Sequence, residues 1–249
     1  MAFLEGEELK PRKLYTGLGD VNVVMVNPTL AEMQEHGINY KEEPVYTSVS
    51  DEGVKKVRLD IWVDNPVVGL QKIAFFLANE SKPSAAGNIQ FINDYGQASW
   101  AATKEDLLEK ASTWYKDKNI RPALTGEPEL VDFIKNLLSI GKDGVAKIDY
   151  PEKLINGDVS ELKDIFTRFS TRKVQVLYIV KQSGDNWYQN IYTRYFSRSG
   201  MKSTTYWTKH MNNNTSRPMF QDTWTLKEFD PLNYSSPSAS DSSDTDPWA

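Results

Sequence analysis

Two pairs of carboxylates bound the chemistry this chain could perform. Asp60 and Asp64 stand in VKKVRLDIWVD, residues 54 to 64, where a strand would put both on one face as potential metal ligands. Asp149 and Glu152 beside Lys153 could form part of a metal-nuclease pattern. Neither pair has an identifiable further ligand, and the imidazoles, His36 and His210, are remote. The absence of cysteine excludes disulfides, thiolate zinc sites and cysteine nucleophiles together. Solvated surface charge is therefore the simpler reading of both pairs, and His36 near a helix end faces the last carbonyls. The glycine pairs GLGD (17 to 20) and GKDG (141 to 144) lack the third glycine or the Gly-Lys-Ser/Thr ending of a phosphate loop, and both read as turns. The expectation is a protein that is not an enzyme, with no catalytic residue, metal or cofactor.

Rings and cations carry a stronger signal. Residues 185 to 210 gather Trp187, Tyr188, Tyr192, Tyr195, Phe196, Tyr206 and Trp207 among Arg194, Arg198, Lys202 and Lys209. If 187 to 196 is a strand, alternation puts Tyr188, Tyr192, Arg194 and Phe196 on one face and Trp187, Ile191 and Tyr195 on the other. Aromatic enrichment is ordinary in sheets. Rings flanked by bases, however, suit single-stranded nucleic acid, where rings stack on unpaired bases and cations neutralise phosphates. A duplex hides those base faces. Charge is segregated to match. The chain has a net charge of -5, yet Arg168 to Phe220 holds nine bases (Arg168, Arg172, Lys173, Lys181, Arg194, Arg198, Lys202, Lys209 and Arg217) against Asp185 alone. Residues 221 to 249 hold Asp222, Glu228, Asp230, Asp241, Asp244 and Asp246 against Lys227. A basic module precedes an acidic tail.

The elements that must position these residues follow from periodicity. VNVVMV (21 to 26) reads as a buried strand, and NPTLAEMQEHG as a helix capped by Asn27, opened by Pro28 and stopped at Gly37. In 54 to 64, Val57, Leu59, Ile61 and Val63 alternate with Arg58, Asp60, Trp62 and Asp64, which puts Trp62 on the face of Lys56 and Arg58. QKIAFFLA (71 to 78) and NIQFIND (88 to 94) are further strands. TKEDLLEKASTWYK and EPELVDFIKNLLSIG are amphipathic helices, the first capped by Thr103, and DVSELKDIFTRF a third. KVQVLYIVK (173 to 181) and WYQNIYTRYFSR (187 to 198) form a hairpin, and STTYWTK another strand. Beyond Tyr234 the Ser-, Asp- and Pro-rich segment has little to bury and is expected to be disordered. No apolar run approaches the roughly 18 residues of a membrane helix, and the N-terminus has no signal pattern, so the expected location is the cytoplasm.

The stretch YTGLGDVNVVMVNPTLAEMQEHGINYKEEPVY with FINDYGQASWA, the ring-rich module and the acidic end DTDPWA together resemble phage-encoded single-stranded DNA-binding proteins of OB-fold type. The tip departs from that pattern in ending Pro-Trp-Ala instead of Pro-Phe. The cysteine/histidine zinc site of the T-even phage helix-destabilising protein has no counterpart in this chain. The resemblance implies an α+β, mainly β chain. Its OB-like barrel would be built from strands before Trp100 and after Phe169, with a helical insertion over about 103–169, in one domain over 1–234 with a tail over 235–249. It further implies sequence-tolerant coating of single-stranded DNA in phage replication or recombination, within the host cytoplasm. Trp62, Tyr188, Tyr192, Phe196 and Trp207 would stack bases. Arg58, Arg172, Lys173, Lys181, Arg194, Arg198, Lys202 and Lys209 would hold phosphates. Asp241, Asp244, Asp246 and Trp248 would recruit replication or recombination proteins, with no membrane partner and with self-association on DNA left open. The alternative is a phage virion or scaffold protein that spends the same aromatics on protein contacts.

The tail reading makes a first prediction. Truncation after Tyr234 should leave the melting temperature unchanged and tighten binding of oligo-dT, most at low salt, because a mobile anion competes weakly for a basic surface. Looser binding, or a melted domain, would place the tail in the folded body.

Overall fold

The computed structural model describes residues 13–110, 119–139, 150–200 and 225–232. Its main sheet is built from five long strands: β1 (Leu14–Val26), β3 (Lys55–Asn65), β4 (Gly69–Ala78), β8 (Lys173–Ser183) and β9 (Asn186–Arg198). They lie in the antiparallel order β4-β3-β1-β8-β9, with short β2 (Thr47–Val49) on β3 and β10 (Lys227–Phe229) on β1. Read as β8-β1-β3-β4, four of these strands have the spatial order of a Greek key, the fourth returning beside the first. The chain is mainly β, and the sheet curls into a half-barrel.

β1 is long because it serves two neighbours. Gly17 to Asn22 pair with β8, and Asn22 to Val26 pair with β3 across a register shift between Val23 and Met25. The expectation of a turn at 17 to 20 is corrected here, since these residues lie inside β1. Gly19 is needed for packing: a Cβ there would stand 2.8 Å from Cε2 of Tyr178, whose ring lies fully buried against the strand.

The inward face of the sheet carries Val21, Val23, Val57, Leu59, Ile61, Val63, Ile73, Phe75, Val174, Val176 and Tyr178, all buried in one core. The alternation of 57, 59, 61 and 63 is thus the pattern of a strand with one face inward. This concave face is filled by helices from the insertion, α3 (Glu127–Leu137) and α5 (Ser160–Arg168), which bury Leu130, Phe133, Ile134, Leu137, Leu162, Ile165 and Phe166. Phe133 meets Phe196 edge-on at 5.0 Å and Phe166 at 6.4 Å, and lies 5.8 Å from Phe75. Phe75 of β4 and Phe196 of β9 are 5.9 Å apart, so the two ends of the curled sheet meet through rings.

Two further helices lie in the 103–169 segment among the described residues: α2 (Lys104–Lys110), opened by the Thr103 hydroxyl accepting from Asp106 N, and α4 (Tyr150–Ile155). A smaller sheet, β6-β5-β7, combines β5 (Ile89–Ile92), β6 (Ala98–Ala101) and β7 (Arg121–Pro122). The strand at 89–92 therefore pairs with 98–101 and with β7 of the insertion, and not with the half-barrel. Helix α1 (Leu30–Glu35) is capped by Thr29 in a capping box with Glu32, not by Asn27. The Thr29 backbone N–H holds the Glu32 carboxyl below its usual range. No helix among the described residues is long and apolar enough to cross a membrane.

Phe133→Ala should lose about 3 to 5 kcal/mol, because the helix cannot collapse onto three separate elements at once. Chemical denaturation with an unchanged slope would confirm it, and a loss under 1.5 kcal/mol would move the centre of the core elsewhere.

Candidate nucleic-acid interface

The outward face of β3 and β4 follows from the same alternation. Lys56, Arg58, Asp60, Trp62 and Asp64 point away from the core, and the ladder sets Arg58 opposite Phe76, Asp60 opposite Ala74 and Trp62 opposite Lys72. The segment between β1 and β3 borders this face. Asn27, at φ 41, donates through Nδ2 to Arg58 O (3.2 Å) and accepts through Oδ1 from Asp60 N (2.7 Å), while its own N–H reaches Asp60 O (2.9 Å). Arg58 N in turn donates to Tyr46 O at 2.8 Å. One edge of β3 is thereby served by β1, then Asn27, then Tyr46 and β2.

A groove of about 370 Å³ opens at this edge, lined among others by Tyr46, Lys56, Arg58, Phe76, Lys82 and Thr125. Phe76 is 64% exposed, and Val45, which also lines the groove, is exposed as well. Lys56 and Lys82 are exposed and, among the described residues, form no ion pair. The groove's far wall is held by the approach to α3. Gly126, at φ 78, passes so close to β4 that a Cβ would sit 2.1 Å from Phe76 O. Glu127 accepts from Leu124 N (2.9 Å) and takes both Arg121 Nη1 (2.9 Å) and Nη2. That pairing raises the Arg121 guanidinium further above its ordinary range.

Beside the groove lies an ionic knot. The Asp60 carboxylate, buried at 2% exposure, receives Arg58 Nη2 at 3.0 Å and Lys72 Nζ at 3.3 Å on the same oxygen, Oδ2. The Tyr46 ring covers Arg58 with its centroid 5.6 Å from Cζ, and its hydroxyl donates to Pro28 O at 2.7 Å. Burial, and then the Asp60 charge, push the Tyr46 phenol up. Lys72 Nζ lies 6.0 Å from the Trp62 ring and 3.4 Å from the Tyr40 hydroxyl. Asp60 thus meets two cations and, being buried, is not the solvated surface charge expected of it, while Asp64 stands exposed as expected.

The expected site residues separate into several groups. Arg58 lines the groove, but Trp62 beside it is only 9% exposed and offers no free face. In the hairpin, Lys181 and Tyr188 are directly opposed, both exposed, with Tyr188 at 51%. Trp187 turns from the tip to pack its ring 5.1 Å from Phe229 of β10. At the hairpin's other end, Lys173 is exposed and Arg198, half-buried, is opposite Val174. Arg172 extends its guanidinium over Phe169 (4.8 Å) and donates Nη1 to Leu138 O.

Phe196 is a correction. It is 7% exposed in the main core, and its ring cannot stack on a base. The ladder runs Val176 opposite Phe196 and then Tyr178 opposite Ile191, so four residues of β9 face Leu177 alone. This irregularity resets the alternation. Ile191 and Phe196 both turn inward, while Tyr192 packs with Tyr195, Leu177, Ile179 and Leu18 in a second cluster. Arg194 lies within this irregular stretch, but its side chain is outside the described set. Lys202, Trp207, Lys209, Asp241, Asp244, Asp246 and Trp248 lie outside the described residues, as do the STTYWTK segment, GKDG and Asp149.

Sequence reading missed Phe76, Tyr46 and Lys82. QKIAFFLA looks uniformly apolar, yet Phe76 shares parity with Lys72 and not with Phe75, which was the available signal. Comparisons of the chain with protein-family models, curated proteins and solved structures returned no match.

Asn27→Ala should destabilise by about 1 to 3 kcal/mol, because Asp60 N–H would be left buried without its acceptor. Hydrogen exchange at Asp60 should accelerate together with the fall in melting temperature. Unchanged exchange there would show that the side chain does not support the β3 edge.

Proposed function

We propose that this protein binds single-stranded DNA without sequence choice, through the outward face of β3 and β4 and the tip of the β8–β9 hairpin. The observation that carries the reading is the groove in which the exposed Phe76 ring lies directly across the ladder from Arg58, and which Lys56 and Lys82 also line. A ring of this kind stacks on any unpaired base, and cations at its sides meet the backbone on either hand. The hairpin tip repeats the combination with Tyr188 opposite Lys181.

The strand order supports an OB-type assignment. A partly open five-stranded Greek-key barrel is the OB architecture, and such barrels bind oligonucleotides on strands two and three and on the loops joining strands one to two and four to five. Counting the long strands alone, β3 and β4 are the second and third, residues 27 to 54 form the first loop, and the turn before Asn186 is the last. Groove and hairpin tip thus fall on the surfaces such barrels use. Replication and recombination proteins remain the proposed partners of the acidic end, and a phage the proposed source.

A protein-contact role, as in a virion or scaffold component, draws on one observation of its own: β2 is short, solvent-facing, and rimmed by exposed Val45 and Val49, an edge that a second chain could extend.

Anisotropy of labelled oligo-dT titrated at several salt concentrations tests the two. Phe76→Ala or Tyr188→Ala should each lose about 1 to 3 kcal/mol with the salt slope unchanged, since stacking releases no counterions. Lys56→Ala or Lys82→Ala should flatten the slope by roughly 0.7. A wild-type protein that ignores oligo-dT at low salt while self-associating through β2 would favour the protein-contact role.

A further inference from the structure

Asp60 is an unexpected residue for a surface that binds a polyanion. It sits mid-strand on the face of Lys56, Arg58 and Lys72, beside the groove, and a carboxylate there lowers the positive potential that would draw in phosphates. Its burial makes the cost larger, since a desolvated carboxylate is costly unless it is paired and hydrogen-bonded. The compensation is specific and falls on one side, Oδ1 being buried without a hydrogen-bond partner among the described residues. Both cations converge on one oxygen, Oδ2, from opposite sides: Arg58 from two residues before it on β3, Lys72 from the neighbouring β4. Both keep about a third of their side-chain surface open, at 34% and 30%, while Asp60 itself has 3%. Arg58 is further held between this carboxylate and the Tyr46 ring.

We propose that Asp60 is a positioning residue for the phosphate-binding cations: it fixes Arg58 and Lys72 in advance on the outer face, so that a DNA backbone meets ordered charges instead of two mobile side chains. This rests on the single-stranded DNA reading and adds a mechanism to it. An unfastened Arg or Lys must lose most of its rotamer freedom when it grips a phosphate, and that loss is taken out of the affinity. A side chain already held by a buried anchor has lost the freedom on folding. The Coulomb cost of the one carboxylate is offset locally by the two cations on its Oδ2, whereas the ordering gain applies to each contact.

The two effects have opposite signs, so one substitution separates them. Asp60→Asn keeps the volume and adds one unit of positive charge to the face. If the field alone matters, binding of oligo-dT tightens. If Asp60 positions the cations, binding weakens by about tenfold, the ordering of two long side chains, despite the added charge. Asp64→Asn is the matched control: the same charge change at an exposed carboxylate on the same face, with binding unchanged or slightly tighter. A readout free of DNA accompanies them. ¹⁵N relaxation at Arg58 Nε should report a rigid guanidinium in the wild type and a mobile one in Asp60→Asn. Should Asp60→Asn fail to fold by its melting curve, the double variant Asp60→Asn/Lys72→Met is compared with Lys72→Met alone: weaker binding in the double variant supports positioning of Arg58, and equal or tighter binding overturns it. Tighter binding by Asp60→Asn, or equal Arg58 rigidity in both proteins, overturns the inference while leaving DNA binding intact. A wild type that does not bind oligo-dT overturns the functional reading, and the inference with it, whatever the relaxation data give.

Discussion

The ring of Phe133 is the contact on which the rest of the structure depends. An antiparallel sheet that curls without closing has a concave apolar face and two ends that no ladder joins, and it is stable only if something fills the interior. Phe133 fills it while touching β4 through Phe75, β9 through Phe196 and the neighbouring helix through Phe166. Edge-on and tilted arrangements between these rings add to the area they bury. The insertion that supplies the helix is therefore an internal part of the half-barrel and not an appendage. With the inner face satisfied by helices, the outward residues of β3 and β4 are released from packing.

What the outer face does with that release is unusual for a strand. Arg58, Asp60 and Trp62 are successive outward positions, and all three are more enclosed than a solvated sheet face requires. A buried ion pair seldom adds stability over an apolar pair of the same volume. Stability is thus a weak explanation for Asp60, and a fixed direction for its two cations is a better one. Asn27 serves the same end with backbone groups, occupying the gap on β3 between the reach of β1 and the start of β2.

The sequence was legible wherever a period ran unbroken. Alternation over 57 to 63 placed four core residues correctly, and the spacing of Leu130, Phe133, Ile134, Leu137 and Leu138 identified the inward side of α3, with Leu138, at its C-cap, only partly buried. It failed where the cause lay far along the chain. Gly17 to Asp20 resemble a turn until Tyr178 is seen to need the space above Gly19. The parity of Phe196 depends on where β9 slips against β8, which neighbouring residues do not encode. β10 lies in an acidic segment with nothing strand-like in it, and is ordered by pairing with Leu14 to Thr16 and by the Trp187 ring on Phe229.

The charge segregation of the sequence also changes meaning once cations are sorted by what they touch. Several bases are already engaged by the fold at its surface: Arg121 by Glu127, Arg172 by the Leu138 carbonyl and the Phe169 ring, Lys13 by Glu228. Basic residues are therefore a poor measure of a polyanion surface when counted along the chain, because a guanidinium paired with a carboxylate, as Arg121 is with Glu127, contributes far less to an outside field. The cations that count are those left exposed beside an exposed ring, and among the described residues two such places are Lys56 and Lys82 in the groove with Phe76 and Lys181 opposite Tyr188. The first of these lies outside the basic stretch of 168 to 220 altogether. Only the antiparallel return of the chain, which brings residues 56 and 76 onto neighbouring strands, assembles it.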